Sequence, residues 1–173
     1  MPVAHEFKAF ASSSNILLVT KVLTISSIGV FAGTSLNYNL IVMPALRKFA
    51  SSSSLAVWAE MSIIAKPLQI TTTVLSALGG LILFSKTSNP YYLYSSILMA
   101  SIIPYSHILL LPINKKLLEI RKHGGDDRPV EEMLIRWDAL HFGRTVVSYA
   151  ALFLTLYGAL RGPSGRVGGV LLK

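Results

Sequence analysis

An all-α, integral membrane four-helix bundle is the fold this sequence predicts, and three observations predict it. The 173 residues are 52% hydrophobic and only 14% charged, where an average soluble domain carries about a quarter charged residues. The mean hydropathy is +0.56. Long runs carry no charge at all: 25 residues between Lys21 and Arg47, 19 between Lys66 and Lys86, and 28 between Lys86 and Lys115. One helical crossing needs roughly 20 mainly apolar residues, so each run holds one. These runs also lack the polar residue at every third or fourth position that marks a soluble amphipathic helix.

Span one is placed at about 22–46. Met1–Ser14 before it shows neither the basic segment nor the short apolar core of a cleaved signal, so the span is read as retained. Ser51–Ser54 reads as loop, and span two, about 67–85, opens on Pro67, whose missing N–H costs nothing in a first turn. Lys86–Pro90 is a tight connection into span three, about 91–113, with Lys115–His123 as an aqueous extension. Gly124-Gly125-Asp126-Asp127 reads as a turn and Pro129 as the first residue of the last helix. Only 16 residues separate Arg144 from Arg161, too few for a crossing. Extending span four back to about 139–160 places His141 and Arg144 inside its first turns. Residues 1–173 thus form a single four-span domain, up-down-up-down.

Composition excludes several functions. Without cysteine there is no disulfide scaffold, thiol nucleophile or thiolate metal site. The net charge of +8 belongs to loops facing headgroups and cytosol, so nucleic acid is not an expected partner, whereas membrane lipid is. No GxGxxG, P-loop or GxSxG pattern supports a nucleotide, flavin or serine-hydrolase site. Lys8, Lys21, Lys86, Arg161, Arg166 and Lys173 fall on the side of the termini, against ten Lys and Arg on the other. The positive-inside rule then puts the two larger loops in the cytosol and the termini in a lumen or outside.

All four spans bring polar residues to one end. Asn37 and Asn39 lie about 10–15 Å below the Arg47 end of span one at 1.5 Å per residue. Lys66 and Gln69 open span two there, His107 and Asn114 close span three, and Trp137, His141 and Arg144 open span four. Trp137, His141, Arg144 and Ser148 follow an i, i+4, i+7, i+11 spacing and share one stripe. Such a stripe faces the bundle interior rather than hydrocarbon. Structural roles compete at each position. Trp137 suits an interfacial belt, the asparagines suit interhelical hydrogen bonds, Arg144 can snorkel, and His107 can satisfy a carbonyl freed by Pro104. His141 fits a structural role least well, since a neutral imidazole beside an arginine can accept a proton. No metal is expected. His107 and His141 offer two ligands, and only Glu60 and Asp138 lie near enough to extend them.

Three segments carry a family resemblance: Ala32-Gly33-Thr34-Ser35 through Pro44-Ala45-Leu46, Pro112-Ile113-Asn114-Lys115-Lys116-Leu117, and Trp137-Asp138-Ala139-Leu140-His141-Phe142-Gly143-Arg144. Over roughly residues 20–160 the chain resembles the anthrone oxygenase-like membrane proteins, the DUF1772 family. The W-x-x-L-H-x-x-R segment is the most distinctive of the three. The resemblance implies a four-helix membrane protein that oxidises an anthrone-like aromatic polyketide to an anthraquinone, with O₂ as co-substrate and no cofactor. Family matching carries over Asn114, Trp137, His141 and Arg144, while Asn37 and His107 come from the depth argument alone.

On this reading His141 is the base and Arg144 stabilises the anion. Asn37 or Asn114 orients substrate hydroxyls and Trp137 covers a ring face. The expected location is an endomembrane, the endoplasmic reticulum or vesicles, as a multi-pass integral membrane protein. The rival expectation is a non-enzymatic membrane protein that binds a lipid or small molecule or assists assembly. A glutathione-type transferase would want an arginine cluster that Arg121, Arg128 and Arg136 do not form.

Overall fold

A computed structural model describes residues 13–123 and 127–161. The expected turn at Gly124-Gly125-Asp126 and the sequence before Ser13 lie outside the described residues. Four helices are each long and apolar enough to cross a membrane: α1 (Asn15–Leu46), α2 (Ser51–Thr87), α3 (Pro90–His123) and α4 (Pro129–Arg161). No strand occurs among the described residues. The chain is an all-α, four-helix integral membrane protein, as the charge gaps predict. Helical backbone satisfies its own N–H and C=O groups, which hydrocarbon demands. Each helix packs against its neighbours in a ring, α1 on α2 and α4, and α3 on α2 and α4.

Two boundaries differ from the sequence reading, the start of α1, helical from Ser13 rather than about 22, and the start of α2. Ser51–Ser54 is the first turn of α2 rather than loop, and Pro67 lies inside that helix rather than at its start. Ser54 Oγ donates to the Leu46 carbonyl at 2.6 Å, beside the Phe49 N–H at 3.0 Å, and so ties the start of α2 to the end of α1. Hydropathy misses this segment because serines and Glu60 interrupt it. The 37 residues of α2 would span about 55 Å, well beyond a hydrocarbon core of about 30 Å. Exposed Glu119, Glu131, Glu132 and Arg136 place the surplus length at the loop end.

The tight connection is as expected. Ser88 takes the left-handed conformation at φ 54°, and the Asn89 side chain accepts from the Tyr91 N–H ahead of Pro90.

Two wide turns interrupt the bundle at one depth. Tyr38–Val42 in α1 and Ser106–Leu110 in α3 are π-helical. Each ends two residues before a proline, Pro44 and Pro112. A proline donates no hydrogen bond to the carbonyl four residues back and its ring crowds that carbonyl. The preceding turn widens, so that Met43 N–H reaches the Tyr38 carbonyl and Leu111 N–H reaches that of Ser106. In α1 this keeps Ser35, Asn39 and Met43, spaced four apart, on one buried face.

The interior is layered. Toward the loops, Met43, Leu55, Trp58, Leu110, Leu117, Leu134 and Trp137 form one apolar core. Toward the termini, Ile28, Phe31, Ala77, Met99, Ile102 and Ala151 form a second. The wide turns fall between them, and so do the polar side chains of the candidate site.

Candidate functional site

Asn39 is the hub of this middle layer. Its Nδ2 donates to the Asp138 backbone carbonyl at 3.0 Å and to Asp138 Oδ1 at 2.6 Å. Its Oδ1 accepts from Thr145 Oγ1 at 2.7 Å and lies 3.3 Å from His141 Nδ1. Arg47 Nη2 donates to Asp138 Oδ2 and completes an ion pair whose carboxylate side is largely buried. An uninterrupted chain of polar contacts therefore runs from the end of α1 inward to His141.

His141 is only 1% exposed. Its ring stacks on Trp137 with centroids 4.6 Å apart and meets Tyr38 edge-on at 5.4 Å. Trp137 is held in turn by Asn114, whose Oδ1 accepts from the indole N–H at 2.8 Å, and by the edge of Trp58. Burial of Trp137 within the loop-side core rules out an interfacial belt position for this side chain.

Arg144, one turn further along α4, donates from Nη2 to Gln69 Oε1 at 3.0 Å. Its guanidinium lies 5.1 Å over the Phe31 ring. Nε is buried without a partner, and no carboxylate pairs with this arginine among the described residues. A planar cation in an apolar span, held by an amide and a ring face, keeps its capacity to bind an anion. Tyr105 packs beside it, donating its hydroxyl to the Leu140 carbonyl at 2.8 Å. Gly143 makes that approach possible, since a Cβ there would run into the Tyr105 hydroxyl.

A cleft of about 650 Å³ opens between α1 and α2. Val42, Val57, Met61, Ile64 and Leu68 give it apolar walls. Glu60 and Arg121, paired at 2.6 Å, stand at its loop-side end. Deeper along α2 and α1 the lining turns polar, with Gln69, Tyr38 and Asn37. Gln69 is the side chain that holds Arg144, and Tyr38 is the one set against His141. The two candidate catalytic groups stand one side chain behind the cleft wall.

The structure brings Asn114, Trp137, His141 and Arg144 into one end of the bundle, with Asn37 on the cleft lining. His107 does not join them. It is exposed on the outer face of α3 and makes no hydrogen bond or ring contact among the described residues. It stands five residues beyond the buried Ile102, roughly 140° around the helix, so depth alone misplaces it. Asn39, Asp138, Thr145, Tyr38 and Gln69 are the members that the candidate set omits. Among the described residues no three His, Asp or Glu side chains group at metal-binding range.

Comparison with curated proteins and with solved structures yields no match. A family model described as Anthrone oxygenase matches residues 58–154, more than half of the chain. The matched stretch runs from Trp58 on α2 through α3 and most of α4, and so includes Gln69, Asn114, Trp137, His141 and Arg144, but leaves α1 outside. The chain belongs to the anthrone oxygenase family.

Proposed function

We propose that this membrane protein oxidises an anthrone-like aromatic polyketide to the corresponding anthraquinone with O₂, His141 serving as base and Arg144 as anion stabiliser. The observation that carries the reading is Arg144, a cation without a carboxylate partner beside an apolar cleft, on the same helix face as a sequestered imidazole. Family membership supports the chemical class.

The chemistry asks little of the protein. An anthrone methylene is acidified by two aryl rings and a conjugated ketone. Transfer of one proton to His141 leaves an anion whose charge rests largely on the ketone oxygen, where Arg144 stabilises it. That anion gives one electron to O₂, and the radical and superoxide combine to form a C–O bond. The peroxide takes up a proton, and loss of the second methylene hydrogen with O–O cleavage releases water and leaves the new carbonyl. No cofactor enters this sequence. Entry is lateral, from lipid into the α1–α2 cleft, with Tyr38 moving aside to admit the methylene to His141. Asn37 faces the substrate hydroxyls. Trp137 acts on the imidazole, not on a substrate ring.

Purified protein in lipid nanodiscs, given a hydroxylated anthrone, should consume O₂ one-to-one with quinone formed, well above the spontaneous rate. Uptake at the background rate would overturn the proposal. Activity lost to chelation and restored by a metal would remove its cofactor-free part. The location proposed is an endomembrane with lumenal termini, so a glycosylation tag after Lys173 should be modified and one at Gly124-Gly125 should not.

A further inference from the structure

Asn39 has an amide whose orientation its surroundings dictate. One end faces two acceptors, the Asp138 carbonyl at 3.0 Å and the Asp138 carboxylate at 2.6 Å. The other faces a hydroxyl, Thr145 Oγ1 at 2.7 Å, and the imidazole Nδ1 at 3.3 Å. Flipping the amide would point its oxygen at both Asp138 oxygens and forfeit two donations in a buried site, where an unmade hydrogen bond costs about 1–3 kcal/mol. Nδ2 therefore belongs on Asp138, and Arg47 fixes that carboxylate from its other oxygen. What remains for His141 is an acceptor. A neutral imidazole meets an acceptor only through the nitrogen that carries its proton.

We infer that Asn39 sets the tautomer of His141, holding Nδ1 protonated so that Nε2 is the proton-accepting nitrogen. Asn39 is a positioning residue, since it touches His141 and not the cleft. Asp138 and Arg47 position Asn39, which connects the ion pair at the end of α1 to the imidazole through one amide. The catalytic meaning of this arrangement rests on the proposed role of His141 as base, but the tautomer itself does not.

The test reads the imidazole directly. Protein labelled with ¹⁵N in the histidine rings is examined in nanodiscs at neutral pH, and His141→Gln identifies which of the four histidines is His141. Wild type should show a proton on Nδ1 and a lone pair on Nε2. Asn39→Leu removes the acceptor and should shift His141 toward the opposite tautomer, lowering kcat by roughly 10²-fold or more with little change in KM. Asn39→Asp, as the protonated acid, keeps a carbonyl oxygen for His141 and a hydroxyl for Asp138. It should restore the wild-type tautomer.

A proton on Nε2 in wild type, or an unchanged tautomer in Asn39→Leu, would overturn the inference. Should the Leu variant fail to fold, wild type and Asn39→Asp decide it, because a ring protonated on Nε2 and not on Nδ1 in either is incompatible with it. The two proposals fail separately. The expected tautomer without anthrone-dependent O₂ uptake would remove the enzyme reading and leave Asn39 in its role.

Discussion

The terminal half of the bundle and its middle layer both bury polar side chains, but to different ends. In the terminal half, Ser96 donates to the Ala77 carbonyl at 2.5 Å, Ser95 to that of Ala151 at 2.9 Å, and Asn89 to that of Gly158 at 3.0 Å. These are small neutral groups bonded mainly to neighbouring backbone, with one side-chain pair, Ser95 Oγ and Thr155 Oγ1 at 2.6 Å. Such bonds are the usual means of holding helices together where lipid removes the hydrophobic drive. The Tyr92 hydroxyl, buried without a partner, is the exception there. In the middle layer the side chains bond to one another, include three charged residues and an imidazole, and leave the Arg144 guanidinium on an amide, with Nε unpartnered and no carboxylate. Polarity that only joins helices is neutral and ends mainly on backbone. Polarity that outruns the needs of packing marks the site.

That contrast breaks most sharply at His141. His141→Gln keeps a polar group of similar reach but cannot accept a proton near neutral pH, so anthrone-dependent O₂ uptake should fall roughly 10²–10⁴-fold with insertion intact. Higher pH should restore part of it, because hydroxide increasingly forms the anion. His107→Gln, on the outer face, should be nearly silent in the same assay, and the reverse pattern would move the base to α3.

Arg144→Lys comes next. A point charge cannot reproduce the planar fork held by Gln69, and losing one charge-assisted hydrogen bond of about 1.5–3 kcal/mol corresponds to a rate loss on the order of 10–100-fold. Wild-type turnover in this variant would end the anion-stabilising role.

The smallest effect belongs to the terminal half. Ser96→Ala should cost about 0.6 kcal/mol of stability, an average value for an interhelical hydrogen bond, read as a small drop in thermal midpoint, with kcat and KM unchanged. A loss of turnover there would erase the distinction between the two regions.

The four spans were legible because charge is so costly in hydrocarbon that its absence alone draws the boundaries. The W-x-x-L-H-x-x-R stripe was legible because α4 mixes polar and apolar residues and so has a readable face. Asn37 and Asn39 show where reading stops. They share a depth but point about 200° apart around the helix, and a span apolar on every side gives no sign of which one faces inward. Asn39 is buried and Asn37 sits on the open cleft. His107 fails for the same reason. The prolines that cause both wide turns were plain in the sequence, but not the change in winding they impose.

Trp58 and Trp137 are the molecule's two tryptophans, and both belong to the loop-side core at the edge of the middle layer, one edge-on to the other at 5.7 Å. Light absorbed by indole thus reports on this end alone, while Tyr91, Tyr94 and Tyr157 at the far end stay silent under long-wavelength excitation. Because Trp137 lies flat on the imidazole, its emission responds to the charge and position of His141. An absorbing polycycle drawn into the neighbouring cleft would quench both indoles by energy transfer. The protein carries an optical gauge of its own site, readable without a label and without turnover.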